Sequence, residues 1–209
     1  KTSTTTTNTN TTVQTGVATS IRNKIVAKAR EIVDLHVKYK KATYDQGNRI
    51  VDDSKRFKAK GTIYGIKNPY CYDCSSLVSC AYKCVGLTSV YAKSCGMGTL
   101  VKSATSKSGW KAWKVTTANL DKYAIPGDII MEATSVVTDS KIQANPNQYR
   151  THHTMIYCGK VNGKHMIAHA SQWAYHPEAI RYQTIDYYLN RGRSFILRPW
   201  DLAKLDKNA

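Results

Sequence analysis

Cys74 stands between Asp73 and the pair Ser75–Ser76, and an apolar pattern at helical spacing (Leu77, Val78, Ala81, Tyr82, Val85) starts directly after it. A thiol in the first turn of a helix lies near the positive end of the helix dipole and near N–H groups without intrahelical partners. Both favour the thiolate, which is the nucleophilic form. A cysteine nucleophile also needs a base, and the base needs a group that orients it. The candidates are the six histidines His36, His152, His153, His165, His169 and His176. Four of them fall in or beside one pair of strand-like runs; His36 is expected at the surface of a helix, and His176, beside Pro177, reads as a loop residue. Cys71 and Cys74 also form a Cys-x-x-Cys pair, which reads as a redox pair or, with a histidine, as a zinc site; no second pair at finger-like spacing accompanies it.

The elements that must carry these side chains fall into a helical half and a strand half. Residues 1–19 are rich in Thr and Asn and nearly free of large apolar groups, which predicts a linker or disordered tail before one domain over 20–209. From Ser20 the residues Ile21, Ile25, Val26, Ala29, Ile32, Val33 and Val37 form a helical stripe. Residues 38–67 are polar, basic and irregular, with Tyr44 and Tyr64 as the expected anchors. The Cys74 helix should end near Gly86, and 88–124 reads as loop with short helical pieces. Ile125-Pro-Gly-Asp-Ile-Ile-Met131 is a turn feeding a strand. The runs His152–Gly159 and His165–Ala170 flank Asn162-Gly163, a strong hairpin signal, and Ser194–Trp200 gives a last strand ending at Pro199. Helices first and antiparallel strands afterwards predict an α+β domain.

Strand side chains alternate faces, so only one of His152 and His153 can look into a site beside Cys74. A plain two-residue turn at Asn162-Gly163 places His169 on the face of His152, whereas a bulge or an odd-length turn returns it to the face of His153.

Asp73-Cys-Ser-Ser-Leu-Val78, Pro126-Gly-Asp-Ile-Ile130, His153-Thr-Met-Ile-Tyr-Cys-Gly159 and Ile167-Ala-His-Ala-Ser171 follow one another in this order. Together they resemble the NlpC/P60 cysteine peptidases, over roughly residues 20–200. The resemblance implies a papain-like fold in which the nucleophile helix packs on an antiparallel sheet. It implies Cys74 as nucleophile, His153 as base and His169 as the group orienting the base, with the Cys74 N–H in the oxyanion hole. Asp73 and Ser75 match substrate-binding positions, and Tyr44 is the candidate for a site-lining tyrosine upstream of the nucleophile. His165, on the face of His169, is a lesser alternative for the third position. Met155 replaces a glycine that usually follows the base, which should narrow the pocket, and the long segment 132–151 is an insertion expected to overhang the cleft.

The implied activity is hydrolysis of amide bonds in the stem peptides of bacterial peptidoglycan, beside D-glutamate as in a DL-endopeptidase, with no cofactor or metal. Alternatives are another papain-like amidase or acyltransferase, and a non-catalytic wall-binding or virion structural protein that keeps the fold. The chain carries 31 Lys and Arg against 14 Asp and Glu, a formal charge of +17. That excess fits an anionic partner such as the anionic polymers of a cell wall, or simply a soluble basic surface. No nucleic-acid module signature is present, and no apolar run is long enough to span a membrane. The expected location is extracellular, at a cell wall or on a virion, as in a phage tail or endolysin, and the chain is expected to be a module of a larger protein. Of the six cysteines, setting Cys74 aside as a nucleophile leaves five, which cannot pair completely, so the set is expected to be mostly reduced.

Overall fold

The computed structural model describes residues 9–55, 59–90, 96–172 and 178–207, so Cys95 and His176 lie outside the described residues. The first helix, α1 (Thr9–Val37), begins before Ser20 and takes in part of the Thr/Asn-rich stretch. Once a helix is nucleated on packed residues, each added residue gains a hydrogen bond without a new nucleation cost. The buried stripe of α1 is Ala18, Arg22, Ile25, Ala29, Ile32, Val33 and His36, and it carries two polar residues that the apolar pattern passed over.

A parallel pair of short strands follows, β1 (Ala42–Tyr44) with β4 (Tyr70–Tyr72), separated by a small hairpin of β2 (Thr62–Ile63) and β3 (Ile66–Lys67). Tyr44 is buried as expected, but Tyr64 sits in the hairpin turn with 70% of its surface exposed and anchors no core. Next comes α2 (Cys74–Lys83), in which every residue from Cys74 to Tyr82 is buried. It packs against both α1 and the main sheet, which is why its sequence is apolar or small on nearly every side.

The rest of the chain is α3 (Met97–Ala104), β5 (Lys111–Lys114), α4 (Leu120–Tyr123), β6 (Ile129–Ala133), α5 (Asp139–Ala144), β7 (Thr151–Val161), β8 (Lys164–Ala170), β9 (Ile180–Thr184), α6 (Asp186–Leu189), β10 (Ser194–Arg198) and α7 (Trp200–Lys207). Six strands form one antiparallel sheet in the order β5-β10-β6-β7-β8-β9. The architecture is therefore mixed α and β, with α1 and α2 covering one face of the sheet. That face buries Met131, Ile156, Ala168 and Phe195 against Ile25, Leu77 and Val78. The opposite face buries Ile130, Met155, Ile167 and Ile196 beneath Leu120, Tyr188 and Leu189. Met155 thus fills a core and does not narrow a pocket. No helix among the described residues is long and apolar enough to cross a membrane. No disulfide links the described cysteines; Cys71, Cys74, Cys80, Cys84 and Cys158 are thiols.

The Pro126-Gly127-Asp128 turn owes its composition to what Asp128 holds. Its carboxylate is fully buried and accepts from Arg22 Nη1 at 2.9 Å, Arg198 Nε at 2.9 Å, Arg198 Nη2 at 2.7 Å and the Ile125 N–H at 3.0 Å. Asp206 closes the network from α7, accepting from Arg22 Nε at 3.0 Å and Arg22 Nη2 at 2.6 Å. Gly127 turns the chain at φ +90°, where a side chain would also crowd the Arg22 backbone at 3.4 Å. One buried turn therefore ties α1, β6, β10 and α7 together.

Candidate active site

Asp73 starts α2 by capping it. Its Oδ1 accepts the Ser76 N–H at 2.7 Å and the Ser75 hydroxyl at 2.9 Å, while its own N–H donates to Ser76 Oγ at 2.9 Å. This reciprocal capping box fixes the entry of the chain into the helix and thereby the direction of the next side chain, Cys74. Asp73 Oδ2 pairs with Arg49 at 3.2 Å, so both of its oxygens are engaged within the protein.

The sulfur of Cys74 lies at the floor of a cleft of about 410 Å³, 3.7 Å from the Met97 sulfur at the start of α3. Backbone N–H groups of Thr154, Ser75 and Cys74 itself are directed at it and stabilise negative charge there. Burial outweighs them. It pushes the thiol up to about 12, and the Asp73 carboxylate adds to the rise. The expected lowering by the helix start is present in direction but is the smaller effect, and Cys74 rests as a thiol. Tyr44 shares this environment: burial, and then the proximity of Cys74 and Asp73, push its hydroxyl up to about 12, while Gln46 Nε2 donates to its oxygen at 2.9 Å.

The two-residue turn at Asn162-Gly163 pairs Val161 with Lys164, as a plain hairpin would. A bulge between Tyr157 and Gly159 then adds Cys158 to β7, with Gly159 at φ +87°. This shift puts His169 on the face of His153. The rings meet directly, with His153 Nε2 2.7 Å from His169 Nδ1. That bond leaves Nδ1 as the His153 nitrogen able to act as a base when Nε2 carries the proton and donates to His169.

A second irregularity, between Glu132 and Ala133, makes His152 the extra residue opposite β6. Its Nε2 lies 3.1 Å from Glu132 Oε2, so the adjacent histidine serves a carboxylate rather than His169. Tyr188 backs the histidine pair, stacked on His153 at 5.5 Å and edge-on to His169 at 5.7 Å. Arg181 is hydrogen-bonded to Tyr188.

The structure therefore brings Cys74, His153, Asp73, Ser75 and Tyr44 to one cleft, with His169 behind His153. His165 is elsewhere, accepting or donating at 2.7 Å to Tyr157 Oη and lying 3.5 Å from Asp121. His36, expected at a surface, is buried, with Nδ1 2.7 Å from the Ala42 carbonyl and Nε2 2.9 Å from Glu178. Of the insertion 132–151 only Glu132 lines the cleft; the rest packs elsewhere, as on β5, where Asp139 accepts the Lys114 N–H at 2.8 Å. Arg49, Met97, Glu132, Tyr188 and Arg191 line the cleft without having been singled out by the sequence. Among the described residues no group of three His, Cys, Asp or Glu side chains is arranged to hold a metal ion, so the zinc reading of Cys71 and Cys74 lacks a third ligand.

Burial lowers His153 to about 3, with the charges of His152 and Arg181 acting in the same direction. Below the ordinary value of 6.5 the unfolded ring binds a proton that the folded ring refuses until about pH 3. This contribution is complete above 6.5 and is lost as pH falls through that window, at ~1.4 kcal/mol per pH unit for one proton. Urea midpoints between pH 7 and pH 5 should therefore fall more steeply for the wild type than for His153→Gln.

No protein-family model matches the chain, and no curated protein matches it in sequence.

Proposed function

We propose that the protein is a cysteine hydrolase of the NlpC/P60 type with a papain-like arrangement, cutting amide bonds in peptidoglycan stem peptides beside D-glutamate. The observation that carries the reading is one cleft holding Cys74 at a capped helix start together with His153, whose far nitrogen is engaged by His169 at 2.7 Å. With the thiol up at about 12 and the imidazole down at about 3, the resting pair is uncharged. Proton transfer from Cys74 to His153 therefore accompanies attack on the carbonyl carbon. The N–H of Cys74, at the open first turn of α2, stabilises the tetrahedral oxyanion. His153 then returns the proton to the leaving amine as the C–N bond breaks, and water hydrolyses the thioester with His153 as base.

Digestion of purified peptidoglycan, followed by mass spectrometry of the soluble fragments, tests the reading. The expected products carry one new amine and one new carboxylate per cut, intact glycan strands, and complete dependence on Cys74. Fragments released equally by Cys74→Ala, or no release by the wild type, would contradict it.

A further inference from the structure

The cleft has two walls. One comes from β1, the segment after it and the start of α2, and carries Tyr44, Arg49 and Asp73; the other comes from β6, β7 and the end of α6, and carries His153 with its neighbours. On the second wall Glu132, paired across the sheet with His153, is 1% exposed and sits beneath two cationic or basic side chains. Arg191 Nη1 approaches Glu132 Oε1 at 2.9 Å, and His152 Nε2 approaches Oε2 at 3.1 Å. The approach of Arg191 is an ion pair without hydrogen-bond alignment, since Glu132 Oε1 accepts no directed bond. The Tyr187 ring lies 5.4 Å beneath the guanidinium, and its hydroxyl accepts from the same Nη1 at 3.2 Å.

The carboxylate is thus covered, while the side chains of Arg191 and His152 stay 34% and 42% exposed. Contacts among the described residues occupy only one terminal nitrogen of Arg191. A guanidinium held through one nitrogen on an aromatic plane, with its remaining N–H groups toward a cleft, matches the planar geometry of a carboxylate.

On the hydrolase reading above, on which this inference rests, the leaving amine must come within hydrogen-bond reach of His153 to collect its proton. The departing fragment therefore runs along the wall that carries His153. We propose that Arg191 and His152, oriented by Glu132, form a subsite for a carboxylate on the amine-side fragment of the substrate. The substrate class this selects is a stem peptide whose residue following the scissile amide keeps a free carboxylate, in preference to its carboxamide.

The test uses two peptides identical except for carboxylate or carboxamide on that residue. The wild type should favour the carboxylate by about tenfold in KM, as expected for one charge-assisted pair in a partly open site. In Arg191→Gln the ratio should fall to about one, and Arg191→Lys, which keeps the charge without the fork, should lie between. The same two peptides binding to Cys74→Ala, read by calorimetry, give the ratio without turnover, and matched melting curves exclude misfolding of the variants. A wild-type ratio of one, no binding of either peptide, or a ratio unchanged in Arg191→Gln would overturn the subsite. Cys74-dependent cleavage with such a ratio leaves the hydrolase reading standing. Absence of Cys74-dependent cleavage removes that reading, and the binding ratio then decides the subsite alone.

Discussion

His153→Ala is expected to fold and to lose turnover, with kcat lower by about 10²- to 10⁴-fold, the range spanned by a positioned acid–base group. In the proposed reaction the ring takes the proton from Cys74 in one step and delivers it to the leaving amine in the next, so its loss should depress kcat and kcat/KM together. His152→Ala should behave differently, because its Nε2 faces Glu132 at 3.1 Å rather than His169. Its effect belongs mainly in KM, with a far smaller change in kcat. His169→Ala removes the 2.7 Å partner that fixes the His153 ring and should fall between the two. Steady-state kinetics on one stem peptide, with thermal melts of all three variants, separates these outcomes. Equal losses from His152→Ala and His153→Ala would remove the distinction that the two bulges create.

Asp128→Ala should be the most destabilising single substitution outside the cleft, costing roughly 3–5 kcal/mol. The carboxylate meets Arg22 at 2.9 Å and Arg198 at 2.7 Å with no solvent exposure, and removing it leaves two buried guanidinium groups facing each other. Asp206 can compensate in part, since it already accepts from Arg22 at 2.6 Å and lies 3.4 Å from Arg198. Double loss of Asp128 and Asp206 should therefore cost more than the sum of the single losses. Urea unfolding measures both. A loss under 1 kcal/mol for Asp128→Ala would mean that the arginines reach water once their partner is gone.

The parts of the fold that were legible in the sequence are those where pattern and chemistry coincide. The Asp73-Cys-Ser-Ser block reads as a helix start because the capping residues are themselves adjacent in sequence, and the structure has that capping box. Asn162-Gly163 reads as a turn for the same local reason. The bulges were not legible, since nothing local marks Cys158 or His152 as an extra residue, yet they decide which histidines share a face. The edge strands β5 and β9 escaped because their partial exposure breaks any apolar run. Arg191 and Glu132 join the cleft through long-range pairing of β6 with β7 and the placement of α6, and isolated charged residues carry no periodicity to announce that. In α1, Arg22 and His36 occupy the buried stripe because each finds a partner inside, which a hydropathy pattern cannot anticipate.

In the proposed reaction Cys74 forms a thioester with the carbonyl side of a stem peptide. Rapid-quench intact-mass spectrometry of the protein mixed with peptide, at low pH to preserve the thioester, measures this directly. A transient adduct equal in mass to the acyl fragment is expected, mapped to Cys74 by digestion and absent in Cys74→Ala. Turnover of the peptide with no adduct on Cys74, or with activity retained in Cys74→Ala, would contradict it.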